Sequence, residues 1–187
     1  MDADDEQIML RQCQNREEIG FRKLYQLFHV RIYHLALGFF PVDEDALDAT
    51  QEIFLRVFSS ISSYRSESQL HTWIYAVALN YCRMEKRRQN SARRFAFFEK
   101  LISSEKYTKS ELVHWEHPGI SYENKERATR LLKAIHQLSP AQRDAVLLLR
   151  YEELSYKEAS VIMNVSVSAL ESLISRAMAN LRKILKE

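Results

Sequence analysis

Histidine, cysteine and carboxylate side chains carry most enzymatic and metal chemistry, so their spacing comes first. The 6 histidines, His29, His34, His71, His114, His117 and His136, are dispersed along the 187 residues. His114 and His117 flank Glu116 without a zinc spacing, and Cys13 and Cys82 form no paired metal motif. No glycine-rich phosphate loop is present. These patterns predict no catalytic centre, no metal, no cofactor and no small-molecule substrate. What does recur is cation with ring. Arg83, Lys86, Arg87, Arg88, Arg93 and Arg94 form one basic block, and Arg176, Arg182, Lys183 and Lys186 a second. The net charge is only +2, so these residues matter through clustering. His71, Tyr75, Leu79, Cys82, Arg83 and Lys86 share one helical face, mixing rings that stack bases with cations that hold phosphates, as single-stranded nucleic acid requires. A solvated basic helix end with Tyr75 half buried is the competing reading of that face.

The elements that position these residues are helical. Only 3 Gly and 3 Pro occur, and long segments carry a helical period. Hydrophobic residues make up 46% and charged residues 28%, as in a globular protein. No apolar run spans a bilayer, and the acidic start is unlike a signal peptide, so a cytoplasmic protein with free thiols is expected. A short first helix is predicted around Asp4 to Gln14, with Ile8, Met9 and Cys13 inward. Asn15 and Glu18 suggest a capping box for a second helix running to about Leu37, stopped by Gly38 and Pro41.

Asp43 to Phe58 forms the third, with Asp43 as N-cap and an inward arc of Ala46, Leu47, Ala49, Thr50, Ile53, Phe54, Val57 and Phe58. Its outer arc holds Asp48, Gln51, Glu52 and Arg56 around Leu55. A leucine framed by charge suggests a docking surface, although single exposed leucines are common. Ser59 to Gln69 is read as a turn and exposed loop centred on Tyr64 and Arg65. The fourth helix, from Leu70 to about Arg88, turns Leu70, Trp73, Ile74, Val77, Tyr81 and Met84 inward. From about Gln89 to Tyr122 the clear period is lost, and residues 96–122 read as a linker, the segment being partly helical at its start.

The second unit has a helix through Leu131, Leu132, Ile135 and Leu138, then Ser139-Pro140 opening another with Val146, Leu149 and Tyr151. Ser155-x-x-Glu158 and Ser168-x-x-Glu171 read as capping boxes on either side of a turn at Asn164, which tolerates left-handed backbone. Two capped helices separated by so short a turn predict a helix-turn-helix. In the second, Leu170, Leu173, Ile174, Ala177, Leu181 and Ile184 face inward. Glu171, Ser172, Ser175, Arg176 and Ala179 face out. Arg176, supported by Lys183, is expected to hold phosphate, with Ser172 and Ser175 touching bases weakly. Glu171 either closes its capping box or accepts from a cytosine amino group.

Three blocks resemble bacterial RNA polymerase sigma factors, most closely the small extracytoplasmic-function (ECF) group: Asp48-x-x-Gln51-Glu52 with Phe54-Leu55-Arg56-Val57; Thr72-Trp73-Ile74 through Asn80 to Arg88; and Leu138-Ser139-Pro140 through Arg176-Ala177 to Leu181-Arg182. The resemblance implies an all-α protein of two small helical domains, residues 1–95 and 123–187, joined by the linker. It implies that Asp48, Gln51, Glu52, Leu55 and Arg56 contact core RNA polymerase. Tyr64, Arg65, Trp73 and Tyr75 would serve minus-ten melting, although Trp73 also lies on the inward arc. Asn80, Arg83, Lys86 and Arg87 would face that promoter element. The helix from Ala169 would read the minus-thirty-five element, but Ala169-Leu170-Glu171-Ser172-Leu173-Ile174 and Arg176-Ala177-Met178 lack three basic residues common there. The resemblance also implies an anti-sigma factor covering the polymerase surface, with sequestration at the inner membrane as an option. The rival function is a helix-turn-helix regulator with a sensory or dimerising amino-terminal domain; it gives the Asp48-Gln51-Glu52 face no role.

Overall fold

The computed structural model describes residues 3–102, 122–152 and 154–186. The metal-like His114–His117 stretch and most of the linker lie outside them. The described residues are helical: α1 (Ala3–Gln14), α2 (Glu18–Leu37), α3 (Asp43–Ser60), α4 (Leu70–Ile102), α5 (Tyr122–Gln137), α6 (Pro140–Val146), α7 (Tyr156–Met163) and α8 (Val167–Lys186). The expected two helical groups are present. Helices α1 to α4 pack side by side, and α5, α6 and α7 pack with α8.

The amino-terminal group buries the period-matched residues Leu24, Phe28, Ile32, Leu35, Ile53, Phe54, Val57 and Ile74. Its boundaries differ from expectation where caps are concerned. Asn15 and Glu18 form no capping box: α2 starts at Glu18, Glu17 holds the N-cap without a side-chain bond, and Arg16 is left-handed at φ 61°. Close packing governs this corner instead, because a Cβ on Gly20 would lie 2.6 Å from Gln12 Cβ. Nor does Asp43 cap α3. Val42 does, while Asp43 accepts from the Tyr33 hydroxyl. Ile8 and Leu47 were expected inside, yet both are exposed, each at the margin of its helix's buried arc. The serine-rich segment begins as α3 and a 3-10 turn, Ile61–Ser63, which buries Ile61. Helix α4 runs on to Ile102, well past Arg88, so the basic block continues a helix into the segment assigned to the linker.

The helix-turn-helix is built as its spacing predicts at its first cap. Ser155 Oγ accepts from the Glu158 backbone N–H at 3.2 Å, and Glu158 accepts from Ser155 N–H at 2.9 Å. Asn164 ends α7 at φ 56°, and α7 meets α8 at 97°. The second cap is shifted: Ser166 Oγ, not Ser168, accepts from Ala169 N–H at 3.2 Å. Glu171 therefore closes no box and stands exposed. The inward arc of α8 is as expected, with Leu170, Ile174, Ala177 and Leu181 buried.

The two groups meet along α4 and the α2–α3 turn, and this junction has no counterpart in the sequence reading. Gly38 is helical at φ −64°, so its role is close approach rather than a left-handed stop: a Cβ there would fall 2.5 Å from Leu147 Cδ1. Phe39 lies beneath the Arg143 guanidinium at 4.0 Å, a cation–π contact. His136 Nε2 reaches the Leu37 carbonyl at 3.1 Å, which makes it the donor of a neutral ring. Arg83 Nε donates to Asp144 at 2.8 Å, His71 meets Glu158 at 2.7 Å, and Tyr75 donates to Glu152. After Val146 the helix widens into one π turn, Leu147–Tyr151, closed by Glu152 N–H on the Leu147 carbonyl at 3.0 Å. That turn carries Glu152 into the junction.

Two titrating groups there pull in opposite directions. Burial pushes the Glu152 carboxyl from 4.5 up to about 7, against the Tyr75 hydroxyl and Arg31, which favour its charge. Burial, with Lys86 and Arg143 nearby, pulls the His136 ring from 6.5 down to about 4. The Glu152 contribution is full below pH 4.5 and is lost as pH rises through 7; that of His136 is full above 6.5 and is lost as pH falls through 4. Between 4.5 and 6.5 the two slopes cancel. Glu152→Gln should uncover the His136 slope, so that stability climbs with pH across that interval at up to about 1.4 kcal/mol per pH unit relative to wild type. Denaturant titrations at several pH values measure this, and parallel wild-type and variant curves would refute it.

The shifted cap gives a second expectation. Ser166→Ala should destabilise by about 0.5 to 2 kcal/mol and Ser168→Ala by much less. Thermal melts of the two variants decide between them.

Candidate protein and nucleic-acid interfaces

Three surfaces hold the residues singled out by sequence. The first is a groove of about 660 Å³ between α3 and α4. Because α3 spends its apolar arc on the core, Asp48, Gln51, Glu52, Leu55 and Arg56 are all left outside. Leu55 is 61% exposed, the largest exposed apolar commitment on α3. Asp45, Asp48, Glu52 and Glu85 line the groove with Leu55, Met84 and Tyr81. Met84 was assigned to the inner arc of α4, but it is 47% exposed here and lines the open groove that separates α4 from α3. Arg56 lies over the Tyr81 ring at 5.0 Å, tying the two helices together at the groove floor. An acidic trough with two unbranched or γ-branched apolar side chains suits a basic amphipathic helix of a partner protein.

The second surface is α4 with the preceding loop, and the structure divides its expected residues. Tyr64 and Trp73 form a ring pair with centroids 5.4 Å apart, and the Tyr64 hydroxyl donates to the Ser68 carbonyl at 2.5 Å, folding the loop back. Arg65, Asn80 and Arg87 are exposed. Tyr75 is not the exposed stacking ring that its helical position suggested. It is fully buried, its hydroxyl held by Glu152, because the second helical group covers that side of α4. Arg83 is likewise engaged by Asp144, and Lys86 lies 5.7 Å from the Phe40 ring centroid. Sequence reasoning missed Asp144 and Glu152 altogether. The available signal was the run Ala145–Leu149, apolar on every side of a helix, which must be enclosed all round.

The third surface is the outer side of α8. Ser168, Glu171, Ser172, Ser175 and Arg176 line one shallow, open depression near its N-terminus. Ser172 Oγ donates back to the Ser168 carbonyl at 3.0 Å, and Arg176 Nε rests on the Ser172 carbonyl at 3.1 Å, so both are held along the helix. Lys183 is exposed two turns further on. The second helix of a helix-turn-helix presents its N-terminal residues to base edges in the major groove, and this depression occupies that part of α8.

Comparison with known proteins accounts for the arrangement. Residues 24–92 match the family described as Sigma-70 region 2, and residues 128–181 match Sigma-70, region 4. The RNA polymerase sigma factor NccH of Alcaligenes xylosoxydans xylosoxydans is 24% identical, over 99% of this chain and 97% of its own. The ECF RNA polymerase sigma-E factor of Escherichia coli K12 is 27% identical, over 92% of this chain and 90% of its own. Among solved structures, CnrH in complex with the cytosolic domain of CnrY shares the fold at a TM-score of 0.69 and 19% identity, covering 97% of each chain. The sigma factor RpoE in complex with the anti-sigma factor NepR from Bartonella quintana does so at 0.66 and 22%, covering 89% of this chain and 96% of its own. With both conserved regions in order on one helical chain, and with relatives matched along nearly their whole length, this protein belongs to the sigma-70 family of RNA polymerase sigma factors, in its ECF group, and is a non-enzymatic transcription-initiation factor.

Proposed function

We propose that the acid-lined groove of α3 and α4 is the surface that docks core RNA polymerase, with Leu55 as its apolar anchor and Asp48, Gln51, Glu52 and Arg56 as its polar frame. The observation that carries this is Leu55 itself, more than half exposed at the centre of an ordered, charged helix face. The loop before α4, with Tyr64 and Arg65, and the α4 residues Trp73, Tyr75, Asn80, Arg83, Lys86 and Arg87 serve the minus-ten element. Helix α8, through Ser172, Ser175, Arg176 and Lys183, serves the minus-thirty-five element. Residues 1–95 and 123–187 are the corresponding functional units. The solved relative RpoE, which carries the bound anti-sigma factor NepR, supports an anti-sigma factor for this chain too, acting in the cytoplasm by covering the docking groove. Reconstitution with core polymerase on promoter templates tests the whole reading, and absence of promoter-directed initiation on any native upstream region would end it.

Three narrower outcomes belong to this reading. Leu55→Asp should weaken core polymerase binding by about 1 to 4 kcal/mol with an unchanged melting temperature, since the side chain contributes little to the core. Pull-down titration measures it, and unaltered binding would remove Leu55 from the interface. At α8, Arg176→Ala should lower the slope of log K against log salt by about one, as loss of a single phosphate contact does. Glu171, which Ser166 leaves without a capping role and exposed, is the acceptor this reading gives to a cytosine amino group. Glu171→Ala should therefore relax base preference at one position of the upstream element without altering the salt slope. Binding to a panel of point-substituted duplexes reads both effects.

A further inference from the structure

We propose that Glu171 and Ser172 form an acceptor-only pair that reads exocyclic amino groups, so that the base pairs they face in the upstream element exclude guanine and thymine from the contacted strand. This rests on the assignment of α8 to the minus-thirty-five element and adds the chemistry by which that element is chosen. The commonest base-specific contact in the major groove is a cation donating to guanine O6 and N7. From Val167 to Ser175 α8 carries no Lys, Arg or His, so that contact has no donor over about its first two turns. Acceptors stand there instead. Glu171 is exposed, and an ionised carboxylate only accepts. Ser172 Oγ commits its proton to the Ser168 carbonyl at 3.0 Å, so what it turns toward a base is lone pairs. Arg176 borders the same depression but is drawn back along the helix, its Nε donating to the Ser172 carbonyl at 3.1 Å.

In the major groove each base pair offers one amino group, on adenine N6 or cytosine N4, and its other polar atoms are the acceptors N7, O6 and O4. A pair of acceptors is therefore satisfied at an amino base and at no other. Opposite guanine or thymine the Glu171 carboxylate would leave water only to meet a second acceptor, and a charged acceptor left unmatched at an interface is costly. The two side chains differ in what they tolerate beside the amino group. Adenine sets its N7 acceptor next to N6, whereas cytosine has no acceptor there, so a carboxylate with two oxygens favours cytosine. The single hydroxyl of Ser172 takes either base. Because consecutive residues of an α-helix point about 100° apart, Glu171 and Ser172 address different base pairs. Affinity and choice are thereby divided along α8: Arg176 and Lys183 supply attraction to phosphate, and the acceptor pair supplies discrimination by exclusion.

Selection tests this with the full-length protein bound to core polymerase: random-sequence duplexes are retained on the holoenzyme and sequenced. The upstream element should show one cytosine column and a second column restricted to adenine or cytosine. Glu171→Gln replaces one acceptor by a donor and so matches the N6 and N7 of adenine; its column should move from cytosine to adenine. A misfolded variant cannot produce a changed preference of that kind. Ser172→Ala should release the second column alone. A base analogue tests the wild-type protein without any substitution. Exchange of the selected cytosine for pyrimidin-2-one, which lacks the amino group, should weaken wild-type holoenzyme by about tenfold and leave Glu171→Ala holoenzyme unaffected. A guanine column that Arg176→Ala abolishes would overturn the amino-group reading and give the choice of base to the arginine. Columns that ignore both Glu171→Gln and Ser172→Ala would overturn it as well. Both results leave α8 on the DNA, because the salt slope of Arg176→Ala registers that contact separately. A retained minus-ten preference with no upstream column and no change in that slope would mean that the assignment of α8 itself has failed, and the amino-group reading with it.

Discussion

Asp144 is a carboxylate with 1% of its surface exposed, and the relation of the two helical groups hangs on how its charge is met. An uncompensated buried carboxylate costs several kcal/mol, so the cations around it are obligatory. Arg83 approaches from α4 and Arg143 from the adjoining residue, and Arg143 in turn lies against Phe39. Through these contacts one charge links α4, the α2–α3 turn and the helix that supports the helix-turn-helix. A buried ion pair of this kind adds little net stability over apolar packing, but it discriminates strongly among arrangements, because any slip of the groups leaves a charge unmatched.

The apolar side of the same junction is equally specific. Leu147 fills the space left by the absent side chain of Gly38, and the π turn that begins at Leu147 adds the extra residue needed to swing Glu152 toward Tyr75. Single π turns inside α-helices commonly mark functional positions. Here the distortion and the buried acid occur together, so a regular helix would aim a different side chain at α4.

Much of this protein is legible before folding. The 3.6-residue period assigned the buried arcs of α2, α3 and α8 and only part of that of α4, where Tyr75, Leu79 and Cys82 are buried and Met84 is not, and Ser155, Glu158, Asn164 and Pro140 marked true boundaries, because each of those signals acts within one or two turns. The misread caps show where local templates compete. Ser166 and Ser168 both precede α8, and the template chose Ser168 for its Glu171. In the folded chain Asn164's left-handed turn sets the helix start, and Ser166 reaches the free amide first. The exposed face of α3 was identifiable from α3 alone, since a charged outer arc with a lone leucine is a local pattern. The junction was not. Arg83 and Asp144 are separated by 61 residues and Tyr75 and Glu152 by 77, and nothing in either neighbourhood encodes the pairing. Tyr75 looked exposed because a helical wheel shows which side a residue takes, never what arrives to cover it.

Helix α4 carries the groove residues Tyr81, Met84, Glu85 and Arg88 on one flank and Tyr75, Cys82, Arg83 and Lys86 on the next. Each residue of an α-helix advances by about 100°, so the angular phase between the flanks is set by residue count alone. Gain or loss of one codon within 76–81 would turn the junction flank's Tyr75 away from Arg83 while leaving both side chains intact. Seven inserted residues would bring the phase back to within about 20° but push the two flanks about 10 Å apart along the axis, so lengthening does not restore both sets of contacts. In descent, this segment should therefore tolerate substitution far more readily than any change of length.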